Sequence, residues 1–332
     1  QQYNLSFEYS LSRTLAASLA YVGSNSRHMV VFPDKNGPVS LLAPGVDVTP
    51  YRPFPTIGGT AYSSYSGSSN YNSLQAKLDQ RMNNGLSFLA SYTYAHALDN
   101  APTPLGSTGD AGFRNPNLIG IGADYSNSPI DVRHRFTING SYAFPYGVGR
   151  QFGNHPGFMN LVFGGWTNSL TFIAQTGNPF SMNSNVTTQS GATTHPYLIS
   201  DPFKGGGGPN CPTKVRTTTS WYNPCAFVNP PVVPTGAQIS GLAALRYLGA
   251  PRNSIYGPGY QRINGSLFKN FTIWHETSLQ LRADYFNLLN TPAYGNPDAN
   301  IGPGGGQITS ARSLGQFYPD SRFWQFAAKI NF

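Results

Sequence analysis

Residues 323–332 read FWQFAAKINF. Trp324, Phe326, Ala328, Ile330 and Phe332 alternate with Gln325, Ala327, Lys329 and Asn331. Period two is the mark of a β-strand, because successive side chains of a strand point to opposite faces. About ten residues is the span of a tilted strand crossing a bilayer, and aromatics at both ends of the apolar row suit two lipid–water interfaces. A soluble edge strand would alternate in the same way, so the reading depends on whether the pattern recurs.

It recurs eight more times. Apolar rows are carried by Tyr3, Leu5, Phe7, Tyr9 and Leu11, by Leu15, Ala17, Leu19 and Tyr21, and by Leu74, Ala76, Leu78 and Met82. Further rows are Leu86, Phe88, Ala90, Tyr92 and Tyr94; Phe136, Ile138, Tyr142 and Phe144; and Trp166, Leu170, Phe172 and Ala174. A weaker run, Ile263, Leu267 and Phe271, is broken by Lys269, and Leu279, Leu281, Ala283, Tyr285 and Leu289 complete the set. Almost no segment shows the three- and four-residue spacing of an amphipathic helix. Nine antiparallel strands are therefore expected.

The connections sort by length. Short ones follow the first, third and seventh strands (residues 12–14, 83–85 and 272–276), and a moderate one follows the fifth, near 145–160. Long ones follow every even strand, at roughly 24–72, 98–132, 176–260 and 290–322. This alternation of short and long is that of outer-membrane barrels, whose turns are short on the periplasmic side and long outside. It places Phe332 in the periplasm. Bacterial single-chain barrels have even strand counts, and a sheet open in lipid leaves backbone groups unsatisfied. Nine strands are thus part of a larger barrel. Gln1 opens a strand with no signal-peptide pattern, so the missing partners are expected before it.

Composition agrees. Of 332 residues only 10% are charged, with 20 Tyr, 21 Phe, 37 Gly and 27 Pro. Ordinary globular chains are about a quarter charged. There is no run of 18 apolar residues, so no transmembrane helix is expected. Net charge is +8, yet the 21 Lys and Arg are scattered; a nucleic-acid surface would gather them on one face. Cys211 and Cys225 share one predicted loop and, in an oxidising compartment, read as a disulfide rather than as free thiols.

Several stretches then resemble the Oar-like TonB-dependent receptors: Asp131-Val-Arg-His-Arg-Phe136 with Phe144-Pro-Tyr-Gly147; Gly165-Trp166 with Gln175-Thr-Gly-Asn-Pro-Phe180; and Trp221-Tyr-Asn-Pro-Cys-Ala-Phe227. Arg252-Asn253 with Gly257-Pro-Gly259, Leu267-Phe-Lys-Asn-Phe271 and Arg282-Ala-Asp-Tyr-Phe-Asn-Leu-Leu-Asn290 continue the series. Tyr294-Gly-Asn-Pro297 and Ile308-Thr-Ser-Ala-Arg312 follow, and Gln2-Tyr-Asn-Leu-Ser6 with Ala20-Tyr-Val-Gly-Ser24 match at the start. The resemblance covers nearly all of the chain. It implies an all-β fold, an antiparallel transmembrane β-barrel of which residues 1–332 are the C-terminal part. About 22 strands would surround a plug. The implied function is energised uptake or surface traffic across the outer membrane of a Gram-negative bacterium. The plug, the TonB-contacting box and the N-terminal domain would all precede Gln1.

Candidate residues follow from the two faces. Glu8, Lys77, Asp79, Arg81, Arg135, Arg282, Asp284 and Lys329 form an inward row, since charges are costly against lipid; they meet either the plug or a substrate. Trp324, Phe326 and Phe332 resemble the signal read by the barrel-assembly machinery, and they also suit plain membrane-face packing. Tyr51, Phe54, Tyr62, Tyr65, Phe180, Trp221 and Tyr222 are loop aromatics that either stack on sugars or peptides or pack the loops. Arg and Lys near the outer rim either meet lipopolysaccharide phosphates or solubilise the loops. No enzyme constellation emerges: His134 lacks a nucleophile and acid in reach and reads as a strand-mouth residue. Asp99, Asp110 and Asp124 lack Ca²⁺-loop spacing and read as solvated acids. The glycine runs 205–208 and 302–306 read as hinges, not phosphate cradles. No cofactor or metal is implied. Two rivals stand beside transport: an adhesive barrel with a shut lumen, and a soluble all-β carbohydrate-binding protein.

Overall fold

The computed structural model describes residues 1–100, 113–184, 190–312 and 321–332. Nine long strands run in sequence order: β1 Gln2–Ser10, β2 Leu15–Val31, β3 Ser64–Asn83, β4 Leu86–Asp99, β5 His134–Ala143, β6 Trp166–Gln175, β7 Tyr260–Trp274, β8 Thr277–Phe286 and β9 Phe323–Asn331. Each pairs antiparallel with its neighbours in sequence, giving an up-and-down meander, and Ser126–Asn127 adds a short edge beside β4. The sheet is open. β1 and β9 are its two edges among the described residues.

Register sorts the side chains. Residues directly opposite on paired strands share a face. Tyr9, Ala17, Leu78, Ala90, Ile138, Phe172 and Ile263 are opposed in succession across seven strands, so one apolar row crosses the sheet. Glu8, Ser18, Lys77, Ser91, Thr137, Ile173 and Arg262 are opposed in the same way and form the polar row. A one-residue slip anywhere would mix the two faces. Ten residues at about 3.3 Å each, tilted as barrel strands are, reach about 25 Å along the membrane normal. Tyrosines gather at one end of the apolar face: Tyr3 and Tyr21 both donate to Asn72 Oδ1 (2.8 and 2.7 Å).

The short connections lie at one end of the strands with Phe332. Ser12 Oγ accepts from the backbone of Thr14 and Leu15. Asn84 and Gly85 both take positive φ (48° and 84°), as a type I′ turn requires. Residues 144–165 form a longer excursion containing a helix, α1, at Phe158–Phe163. No helix is expected there from the sequence, since six residues are too few to display a helical period.

At the other end the long connections are folded rather than separate. Leu41–Leu42 pairs with Gln238–Ile239, and Pro179–Phe180 pairs with Ile255–Tyr256. Leu41, Leu118, Val233, Ala244 and Leu248 bury one small core drawn from three connections. Phe180, Met182, Tyr222, Ala226, Phe227 and Ile255 bury a second, against Ala299 and Ile301 of the fourth. Together they make a cap over the strand ends.

Candidate functional site

Two features carry chemistry: the polar face of the sheet and the cap. On the polar face Arg282 and Asp284 of β8 are ion-paired (2.6 Å), and Ser266 of β7 donates to Asp284 while accepting from Arg282 (2.9 Å). Lys77 and Asp79 follow each other along β3, with Arg81 next in the alternation, and Arg135 lies opposite Thr93 and Gln175. Lys329 opposes Gln280 on the same face. The charges of the predicted inward row thus share a face by register. Trp324 and Phe326 stand on the opposite face, against Tyr285 and Ala283, and Phe332 is almost fully exposed.

The cap is held by buried ion pairs. Arg114 Nε reaches Asp124 (2.6 Å) and its Nη1 donates to Gly249 O (3.0 Å). Arg252 is buried against Asp99 and donates to the Asp99 carbonyl (2.9 Å). Asp131 is ion-paired with Arg133 (3.0 Å) and accepts from the Tyr256 hydroxyl (2.6 Å), which in turn accepts from Arg133 Nε (2.8 Å). Burial, and then the bond to Asp131, push the Tyr256 hydroxyl up to about 12, so it remains a donor at neutral pH. Asp99 and Asp124 are therefore not the solvated acids that their spacing suggested: each is the partner of a buried arginine. Asp110 lies outside the described residues. Cys211 and Cys225 are joined, with their Cα atoms 5.8 Å apart, which ties residues 205–212 to the second core.

The loop aromatics divide. Tyr222 is fully buried, its hydroxyl donating to the carbonyls of Asp298 and Asn300 (2.7 and 2.8 Å). Phe180 is buried beside it. Both pack the cap, so of the two alternatives for Phe180 and Tyr222 the structure shows loop packing, and the possible ligand contact of Tyr222 is closed off by burial. Phe54 is 63% exposed and Tyr51 half-buried. Trp221 is half-buried, its ring near-perpendicular to that of Phe203, and its indole N–H donates to Tyr256 O (2.9 Å).

Trp221 lines a cavity of about 900 Å³ between the cap and the upper end of the apolar face. Tyr92, His134 and Phe136 rise into it from the strands, and Phe203 and Arg216 close it from the cap. Arg216 lies 4.2 Å over the Phe203 ring and 5.9 Å from that of Trp221. His134 is exposed at the mouth of β5, bonded through Nδ1 to the Tyr92 hydroxyl (2.7 Å) and tilted against Tyr94. This suits an interfacial residue. The cavity is invisible in the sequence, because its walls come from strands and loops far apart along the chain.

None of the curated proteins matches the chain in sequence. The crystal structure of the outer membrane transporter YddB from Escherichia coli is similar over 99% of this chain and 32% of that one, at 8% identity and a TM-score of 0.45. The chain therefore spans about a third of that protein. The family model for the outer membrane beta barrel domain matches residues 1–325. This sets aside the soluble carbohydrate-binding reading and locates the protein in the outer membrane. The chain belongs to the outer membrane beta barrel domain family.

Proposed function

We propose that residues 1–332 are the C-terminal part of a TonB-dependent, Oar-like receptor barrel that takes up a substrate across the outer membrane without catalysis. The observation that carries this reading is the charged row on one face of the sheet. Lys77, Asp79, Arg135 and the Arg282–Asp284–Ser266 network would be costly against lipid and have a use against an aqueous lumen filled by a plug. The apolar face then meets lipid, the cap faces the exterior, and the short turns face the periplasm. Trp324, Phe326 and Phe332 would present the strand that the barrel-assembly machinery reads. Lipopolysaccharide would meet the basic outer rim, and TonB would act through the plug.

An adhesive barrel is the second reading, favoured by how thoroughly the four long connections are folded into one cap. Uptake distinguishes the two. The intact protein, expressed in a Gram-negative host depleted of its own receptors, is offered iron chelates, oligosaccharides and peptides with and without TonB. Accumulation of one class only when TonB is present is expected. Surface binding indifferent to TonB, with no accumulation, would replace transport by adhesion.

A further inference from the structure

Lys269 stands on the apolar face. It opposes Trp166 of β6 and Leu281 of β8, in the row of Leu267 and Phe271. Only 6% of it is exposed. Its ammonium donates to the carbonyls of Asn160 and Leu161 (2.9 and 2.5 Å) and lies 4.7 Å over the Phe271 ring. Those carbonyls belong to α1; that of Asn160 also accepts the capping N–H of Gly164 (2.9 Å), so the ammonium docks on the C-terminal end of the helix. Trp166 Nε1 donates to a third, that of Val162 (2.8 Å). The 144–165 connection therefore does not hang free below the sheet. It folds back over the apolar face at the short-turn end and shields the lysine.

In that position α1 turns Phe158 (75% exposed), Met159 (57%), Leu161 (54%) and Phe163 (56%) away from the protein. Residues 144–165 contain no acid, and carry Arg150 and His155. Such a cluster in six residues has no partner among the described residues, and its setting is continuous with the apolar face of the strands. An apolar helix face with basic neighbours lies in the plane of a membrane, sunk into the boundary between headgroups and acyl chains. We infer that α1 is an interfacial anchor inserted into the phospholipid leaflet at the short-turn end of the barrel. Lys269 fastens it to β7. The inference rests on the reading of the apolar face as lipid-facing.

Spin-label depth measurement tests it. In the intact protein, with any free thiol outside this chain changed to serine, Met159→Cys is labelled with a nitroxide in phospholipid vesicles; Cys211 and Cys225 are consumed in their disulfide. Ile330→Cys serves as the lipid-face reference. Collisions of the Met159 label with oxygen should exceed those with a water-soluble nickel chelate several-fold, as at Ile330. Phe158→Ser with Phe163→Ser should reverse that ratio at Met159 while Ile330 keeps it. A nickel-dominated Met159 label beside an oxygen-dominated Ile330 label would overturn the anchor and leave the lipid-facing strands intact. Nickel dominance at both would overturn the facing of the sheet, and the anchor with it.

Discussion

His195 lies deep in the cap, 2% exposed. Its Nδ1 donates to Met182 O (2.8 Å), and its Nε2 has no partner among the described residues. Burial, reinforced by the nearby Arg114 charge, holds its pKa below the ordinary 6.5. The opened cap therefore takes up a proton before the closed one does. The contribution of His195 to cap stability is full above about pH 6.5 and is lost as pH falls through the lowered folded value. Hydrogen exchange around residues 190–199 and 245–252, corrected for its intrinsic pH dependence, should hold steady above about pH 6.5 and accelerate as pH falls below it, and His195→Gln should flatten that response. Arg252 gives a sharper test. Arg252→Met leaves Asp99 buried without its cation, and breaking a buried pair costs about 3–5 kcal/mol. Exchange in the cap should rise accordingly while the strands stay protected; equal loosening of both would mean that cap and sheet unfold as one. Neither role is written locally in the sequence. Arg252 and Asp99 are 153 positions apart, and Tyr222 and Phe54 are alike as loop aromatics until long-range packing buries one and exposes the other.

At the scale of the element, alternation is the legible signal, and it is legible only where the two faces meet different media. All nine strands are readable from the sequence for that reason. Their outer extensions are not: β2 continues to Val31 and β3 begins at Ser64, along SYSGSSN. There both faces meet water or the cap, so no apolar row is required, and the pairing slips at bulges between Arg27 and Val31. The facing of a central strand can be tested by two neighbouring positions. Ala90 opposes Leu78 and Ile138, near mid-strand on the apolar face, and Ser91 opposes Lys77 and Thr137 on the other. Ala90→Arg should cost about 2–4 kcal/mol in lipid, the range for arginine at the bilayer midplane of a barrel. Ser91→Arg should cost well under that, limited to like-charge repulsion from the opposing Lys77 on a face that already holds charges. Denaturant titrations of the two variants in vesicles compare them directly, and a larger loss at Ser91 would invert the sheet.

At the scale of the molecule the decisive fact is that the sheet has edges. Among the described residues β1 pairs only with β2 and β9 only with β8. In hydrocarbon each unpaired backbone N–H or C=O costs several kcal/mol, and two strands of nine residues each expose a row of them. Side-chain facing cannot remove that cost; only further strands can. The odd strand count makes the need for partners readable from the sequence. The cap is not readable in the same way, because its small cores combine single residues from connections that look independent one at a time. The two halves of the structure should therefore behave differently when residues 1–332 are produced alone. The cap, closed by its own ion pairs and disulfide, should still form. The sheet should not insert: in vesicles the piece should remain protease-sensitive and should migrate identically in gels with and without heating. The intact protein should resist protease and show the heat-shifted band of a closed barrel. A heat-shifted, protease-resistant piece would mean that the nine strands satisfy their own edges or those of a second copy, and the larger plugged barrel would lose its physical argument.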